Sequence, residues 1–294
     1  MRCKSIAVAM ACVILFGPPV AAAPKAPGPS VDRDLPPEAR SAIESGLSFL
    51  ANAQNTDGSW LSDGRMGRYP AAITSLCGLA LLAQGSTAYG GPYAPNVRRA
   101  VEYLLRHADP ETGLIGGEEA GRPMFGHGFA MLFLAQVYGS EGQAALRERT
   151  RDVLVRAVGL TVRAQGRAGG WYYTPDATQD EGAVTVTQIQ ALRACADAGI
   201  PVPQETVDRA MDYIRRSLNP DGGVAYQADR PGDSRPGITC AALATMHALG
   251  IYEGEMVENA LRFARSNVPL SAPTPAGGTH FFYSHLYFSQ VLYF

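Results

Sequence analysis

The sequence predicts an all-α protein of stacked helical hairpins, and three observations carry that prediction. Amphipathic segments with one apolar stripe alternate with segments that are apolar nearly all round. A glycine-rich turn follows each amphipathic segment. The turns recur at intervals of about 55 residues, the mark of a repeated supersecondary unit. No stretch shows the two-residue alternation of a half-buried strand.

The amphipathic members run in order. Glu38 to Gln54 carries Ile43, Leu47 and Leu50 on one face, and Asn96 to His107 carries Val97, Val101, Leu104 and Leu105. Leu146 to Gln165 turns Val153, Leu154, Ala157 and Leu160 inward while Arg149, Asp152, Arg156 and Arg163 stay wet. Gln204 to Ser217 and Glu253 to Ser266 repeat the pattern. The apolar members are Ala71 to Gln84, Phe125 to Tyr138, Ala183 to Ala198, Ile238 to Leu249 and Phe281 to Phe294. A helix without a polar face must be surrounded by protein, so these are expected to form an inner row and the wet helices an outer one. The turns read QNTDGSW (Gln54 to Trp60), ETGLIGG (Glu111 to Gly117), QGRAGGW (Gln165 to Trp171), NPDGG (Asn219 to Gly223) and PAGG (Pro275 to Gly278). Gly117, Gly223 and Gly278 are expected to keep register with Trp60 and Trp171.

Composition bounds the function. The 294 residues are 46% hydrophobic with a formal net charge of −2, and no cluster of lysine and arginine is present to track phosphates, which argues against a nucleic-acid partner. Arg2 and Lys4 precede an apolar run from Ile6 to Phe16 and small residues from Val20 to Ala23, the pattern of a cleavable secretory leader. The run is too short to span a bilayer, which takes roughly 20 residues. The reading is therefore a signal peptide at 1–23, a Pro/Ala-rich linker at 24–36 and a repeat domain at 37–294, in a protein exported to the periplasm or beyond. Cys77, Cys195 and Cys240 lie in apolar helical runs and read as small core residues.

The turn motifs QNTDGSW and QGRAGGW resemble the glutamine–tryptophan repeats of the prenyltransferase and squalene–hopene cyclase family. GGWYYTPDATQDEGAVTVTQIQAL, MFGHGFAMLFLAQVYG and HFFYSHLYFSQ resemble its exported bacterial members. The resemblance covers Pro37 to the C-terminus and implies an α/α toroid, with inner and outer rings of helices. It implies six hairpins where five are legible before Phe294, so either the chain is a truncated product, or the ring is open, or a partner fills the gap. For such members the resemblance implies a fold and no settled activity. Read from the residues, Gln54, Trp60, Gln165 and Trp171 are staples between hairpins, with glycine supplying the tight turn.

Candidate chemistry is sparse. By position, the resemblance puts Asp180 on the proton-donating aspartate of a cyclase and Glu181 on the last acid of its cluster, with Thr178 where the first aspartate would stand. The plainer reading is that an acid there caps a helix N-terminus. His127 and His285 sit near the starts of apolar helices and are candidate acid–base groups. Phe125, Phe129, Tyr283 and Tyr287 are candidates to line an aromatic cavity for a small apolar ligand. The resemblance also suggests Asp233, Cys240 and His285 as zinc ligands, but the two-residue spacing of aspartate and cysteine is missing, so no metal and no cofactor is expected. The leading expectation is an exported protein holding an isoprenoid-like ligand, with cyclase or isomerase chemistry and peripheral membrane contact in view. The rivals are a non-catalytic scaffold and a carbohydrate-active α/α barrel, the latter disfavoured because the inner helices hold almost no acids besides Glu181. The sequence leaves the oligomeric state open.

Overall fold

The computed structural model describes residues 35–62, 68–117, 119–140, 142–176, 178–228, 232–270 and 280–293. The expected leader, nearly all of the linker and the turn at 275–278 lie outside the described residues. Among the described residues ten α-helices alternate as expected. The outer set is α1 (Pro37–Ala53), α3 (Ala94–Arg106), α5 (Ala144–Arg163), α7 (Gln204–Arg216) and α9 (Glu255–Asn267). The inner set is α2 (Pro70–Ala83), α4 (Pro123–Ser140), α6 (Gly182–Asp197), α8 (Pro236–Ala248) and α10 (Phe281–Tyr293). Among the described residues there is no β-strand, only isolated bridges at Ala108–Ile115 and Leu218–Val224.

The inner helices pack in chain order, α2 on α4, α4 on α6, α6 on α8 and α8 on α10. Their burial follows from their composition: every residue of α8 from Ile238 to Ala248 is buried. The outer helices bury one stripe each, as Val97, Val101, Leu104 and Leu105 do on α3. Proline at the first or second position starts α1, α2, α3 and α8, where its missing N–H costs nothing. Three inner helices pack more closely on the outer helix that follows them than on the one before (α2 with α3, α4 with α5, α8 with α9), while α6 lies against both α5 and α7. The glycine-rich turns therefore lie at the seams between successive hairpins.

Each seam repeats one construction. Gly58, Gly113, Gly169 and Gly222 have positive φ, and any side chain there would collide with a backbone carbonyl on the next outer helix, at Arg99, Arg156, Arg209 and Asn259 respectively. The register glycine of the second turn is thus Gly113 and not Gly117, which meets nothing within 4 Å. Gln54 Nε2 donates to Gly58 O and Asn96 O, both at 3.0 Å, and Gln165 Nε2 donates to Gly169 O and Thr206 O, both at 2.9 Å. The indoles of Trp60 and Trp171 donate to Leu50 O (2.8 Å) and Thr161 O (2.7 Å). These bonds join each turn to the outer helix before it and to the outer helix that follows.

A second bond ties each turn to its inner helix. Thr74 accepts from Trp60 N–H at 3.0 Å, Thr185 from Trp171 N–H at 2.9 Å and Thr239 from Val224 N–H at 2.9 Å. In the remaining seam the acceptor is His127 Nδ1, 3.1 Å from Ile115 N. Cys77, Cys195 and Cys240 are free, buried thiols, each pushed up to about 12 by burial.

Candidate functional site

The inner helices present their N-termini to the loop of the following repeat. Met124 N–H, at the start of α4, donates to Tyr173 O at 3.0 Å, and Gly182 N–H, at the start of α6, donates to Tyr226 O at 3.0 Å. Ala71 N–H, at the start of α2, donates to the Glu119 carboxylate. These N-termini therefore share one end of the inner row, and the buried carboxyls of Glu119 and Glu181 stand at that end.

Glu181 is the centre of that group. Its N–H donates to Trp171 O at 2.8 Å, which closes the loop between them and leaves Glu181 extended, ready to cap α6. Its two oxygens accept from Ala183 N (3.0 Å) and Val184 N (2.8 Å), and the residue is 1% exposed. Burial pushes its carboxyl up to about 7 against the opposing pull of the two N–H groups and the Arg122 guanidinium, with Asp180 adding a small push upward. Arg122 lies over the Tyr173 ring at 4.7 Å, and the Tyr173 and Tyr226 hydroxyls bond at 2.7 Å. Tyr173, held up chiefly by burial, and Tyr283, on α10, both feel the charge of Glu181. Arg122, Tyr173 and Tyr226 thus form one contact group in the loops ahead of α4, α6 and α8, and the charge of Glu181 is felt by its phenols and by Tyr283 of α10.

Asp180 points elsewhere. Its backbone carbonyl accepts from Gln227 Nε2 at 2.9 Å, and its side chain lies beside Tyr213 of the outer helix α7. The Tyr213 hydroxyl is enclosed, and burial first and the neighbouring Asp180 carboxylate second push its phenol up. The plainer reading of Glu181 as an N-cap is thus correct, and of the two acids it is the one among the phenols.

The histidines do not join this group. His127 is fully buried; besides accepting from Ile115 N–H, its Nε2 lies 3.1 Å from Thr161 Oγ1 on α5. Accepting at Nδ1 fixes the neutral tautomer, and burial lowers its pKa to about 4. It replaces the threonine of the other seams and turns toward the outer helix α5. His285 is half-buried on α10, stacked on Phe281 with Nδ1 2.9 Å from Phe281 O. It is two positions from Tyr283 and so lies about 200° round the helix from it.

Of the aromatic candidates, Phe125 and Phe129 make an edge-on pair on α4 at 5.2 Å. Tyr283 and Tyr287 make another on α10 at 5.0 Å, and both their hydroxyls are enclosed without a hydrogen-bond partner among the described residues. Asp233 is exposed while Cys240 is fully buried, and among the described residues no three His, Cys, Asp or Glu side chains gather as a metal site.

Residue-level reasoning missed Arg122, Tyr173, Tyr226 and, above all, Glu119. That acid is 5% exposed, and burial raises it to about 7 against two backbone N–H bonds from Ala71 and Ala72. The signal in the sequence was faint: an acid pair between two glycines, just ahead of Arg122-Pro123.

Fold and site together define an α/α toroid, of the kind found in both terpene cyclases and sugar-cleaving enzymes. The type II terpene cyclase MstE from Scytonema is similar over 98% of this chain and 86% of its own, with TM-score 0.56 and 15% identity. An inactive variant of an α-1,6-mannanase from Salegentibacter, in complex with α-1,6-mannotetrose, is similar over 79% of this chain and 71% of its own, with TM-score 0.54 and 13% identity. A protein from Actinoplanes covers 98% of this chain and 88% of its own, with TM-score 0.53 and 16% identity. At these identities the likeness shows the fold alone. No family model and no curated protein matches the chain.

Proposed function

We propose that the protein binds an apolar, isoprenoid-like ligand among its inner helices, with an oxygen-bearing end of the ligand at Glu181. The observation that carries the reading is the carboxyl of Glu181, enclosed and raised to about 7, beside Arg122 and the phenols of Tyr173, Tyr226 and Tyr283. The unpaired hydroxyls of Tyr283 and Tyr287 support it, since enclosed polar atoms without partners suit a polar group supplied by a ligand. In this reading the leader-like segment 1–23 sends the protein out of the cytoplasm.

The acid decides the chemistry. A carboxyl near 7 is matched to proton transfer at a hydroxyl, epoxide or carbonyl oxygen at neutral pH. It is a poor donor to a bare alkene, which wants a far stronger acid, and Thr178 supplies no third carboxyl to strengthen it. The activity is therefore isomerase- or cyclase-like on an oxygenated substrate, with Glu181 as general acid and Arg122 as the positive charge that stabilises its anion.

A carbohydrate-active enzyme is the second reading, because Glu119 adds a second buried acid where the sequence offered one. One experiment separates the two. The purified protein is incubated with oxygenated polyprenyl compounds and with α-mannan oligosaccharides, and products are followed by mass spectrometry. A polyprenyl product that falls about 100-fold in Glu181→Gln supports the acid reading. Cleaved sugar shifts the assignment to the carbohydrate reading. Binding of neither class, in parent or variant, leaves a scaffold.

A further inference from the structure

The three seams at the N-terminal ends of α2, α4 and α6 are not equivalent. At α4 and α6 the acceptor from the next repeat is a backbone carbonyl, of Tyr173 and Tyr226, which no change of pH alters. At α2 it is the carboxyl of Glu119, a side chain that reaches back 48 residues to Ala71. The chain is bent to deliver it. Glu119 and Ala120 have φ of 40° and 55°, a left-handed pair that L-residues adopt only when their surroundings hold them there. Room for the carboxyl is made on the facing helix by Gly126, where any side chain would collide with Glu119 Oε2. That oxygen is enclosed and has no hydrogen-bond partner among the described residues.

We propose that Glu119 is a proton-operated clasp on the first hairpin: protonated, it holds the first turn of α2 against the next repeat, and ionised, it lets that turn loosen. The cause is the unpartnered oxygen. A neutral carboxyl leaves one weak polar atom unsatisfied, whereas a carboxylate leaves charge in an enclosed site, and opening the turn lets water reach it. The elements packed around it supply no neutralising charge. α2 presents Ala71 and Ala72, and α4 presents Gly126. From α3 the Tyr103 phenol is raised by burial first, by Asp57 next and then by Glu119, while Arg122 of the same loop lies over Tyr173. Burial is accordingly the leading cause of the raised Glu119 acid. Its loss of a proton falls close to neutrality, where modest changes of pH operate it.

Hydrogen exchange read by mass spectrometry tests this on the full chain, with each rate divided by its intrinsic value at that pH. In the parent, protection of peptides spanning the first turns of α2 is expected to fall about tenfold between pH 6 and pH 8. Peptides covering the start of α4 serve as the reference and stay level. Glu119→Gln is expected to level the α2 profile. A parent profile that is already level, or a Glu119→Gln profile that still falls, overturns the clasp. Should Glu119→Gln fail to fold, Gly126→Ala gives a second reading, since it displaces the carboxyl without removing it. It is expected to lower α2 protection at pH 6 to the level seen at pH 8, and unchanged protection overturns the proposal.

Discussion

Glu119 and Glu181 are buried acids raised to the same range, and they cap inner helices by opposite routes. Glu181 caps the helix it begins. Its neighbours in sequence place it, both oxygens are used, and Arg122 offsets its charge. Glu119 caps a helix that began 49 residues earlier, through a left-handed turn, with one oxygen spare. The difference teaches that one chemical group at one kind of helix end can be local and balanced or remote and under tension. Which it becomes depends on what the fold brings to its second oxygen.

The sharpest way to break the comparison is through the glycines beside the two acids. Gly126→Ala drives a methyl into the Glu119 carboxyl and is expected to cost about 2–4 kcal/mol in urea unfolding, from overpacking plus the lost cap. Gly182→Ala meets only Ile238 Cγ2 at 2.9 Å and Tyr226 O at 3.4 Å, and is expected to cost under about 1.5 kcal/mol. Equal losses would mean the two caps are not different in kind.

The next effect is in pH. Both acids are raised from 4.5 to about 7 on folding, so the folded state binds their protons more tightly than the unfolded chain does. Their contribution is full below pH 4.5 and is lost as pH rises through 7. His127 runs the other way: lowered from 6.5 to about 4, it holds full stability above 6.5 and loses it as pH falls through 4. The parent is therefore expected to lose stability as pH rises from 4.5 to 6.5, about half as steeply as the two acids alone would give, because the one histidine opposes them. Glu119→Gln with Glu181→Gln should leave stability falling toward acid by about 1–3 kcal/mol, measured by urea titration across the range. His127→Thr, the residue type of the other seams, should leave it rising toward acid at the slope of the two acids alone.

The smallest effect concerns the phenols around Glu181. Tyr226→Phe removes one hydrogen bond, to Tyr173, from a residue 39% exposed, and should cost about 0.5–1 kcal/mol by thermal unfolding. A loss several times larger would mean that the tyrosine pair is part of what holds Glu181 in place.

Much of this was legible in the sequence. All ten helices fall within about two residues of the expected segments, because the alternation of dry and half-wet stretches is a statement about burial, and burial is what helices in a repeat must satisfy. Gln54, Trp60, Gln165 and Trp171 declared themselves because glycine and tryptophan at fixed spacing leave few other uses. Glu181 was legible as a cap because its partners are two and three residues away. Glu119 was not, because its partner is 48 residues distant and nothing local distinguishes it from a solvated acid. His127 misled for a related reason: only the seam shows that it stands where threonine stands elsewhere.

By itself, then, the sequence determined the helices, their inner and outer order and the staples between them, since all of these follow from periodicity and from interactions within one repeat. Only the tertiary structure decided which acid sits among the phenols, which histidine is a staple and which helix Glu119 holds. Those outcomes depend on the side chains and carbonyls that neighbouring repeats place around a group, and on how much water they exclude from it.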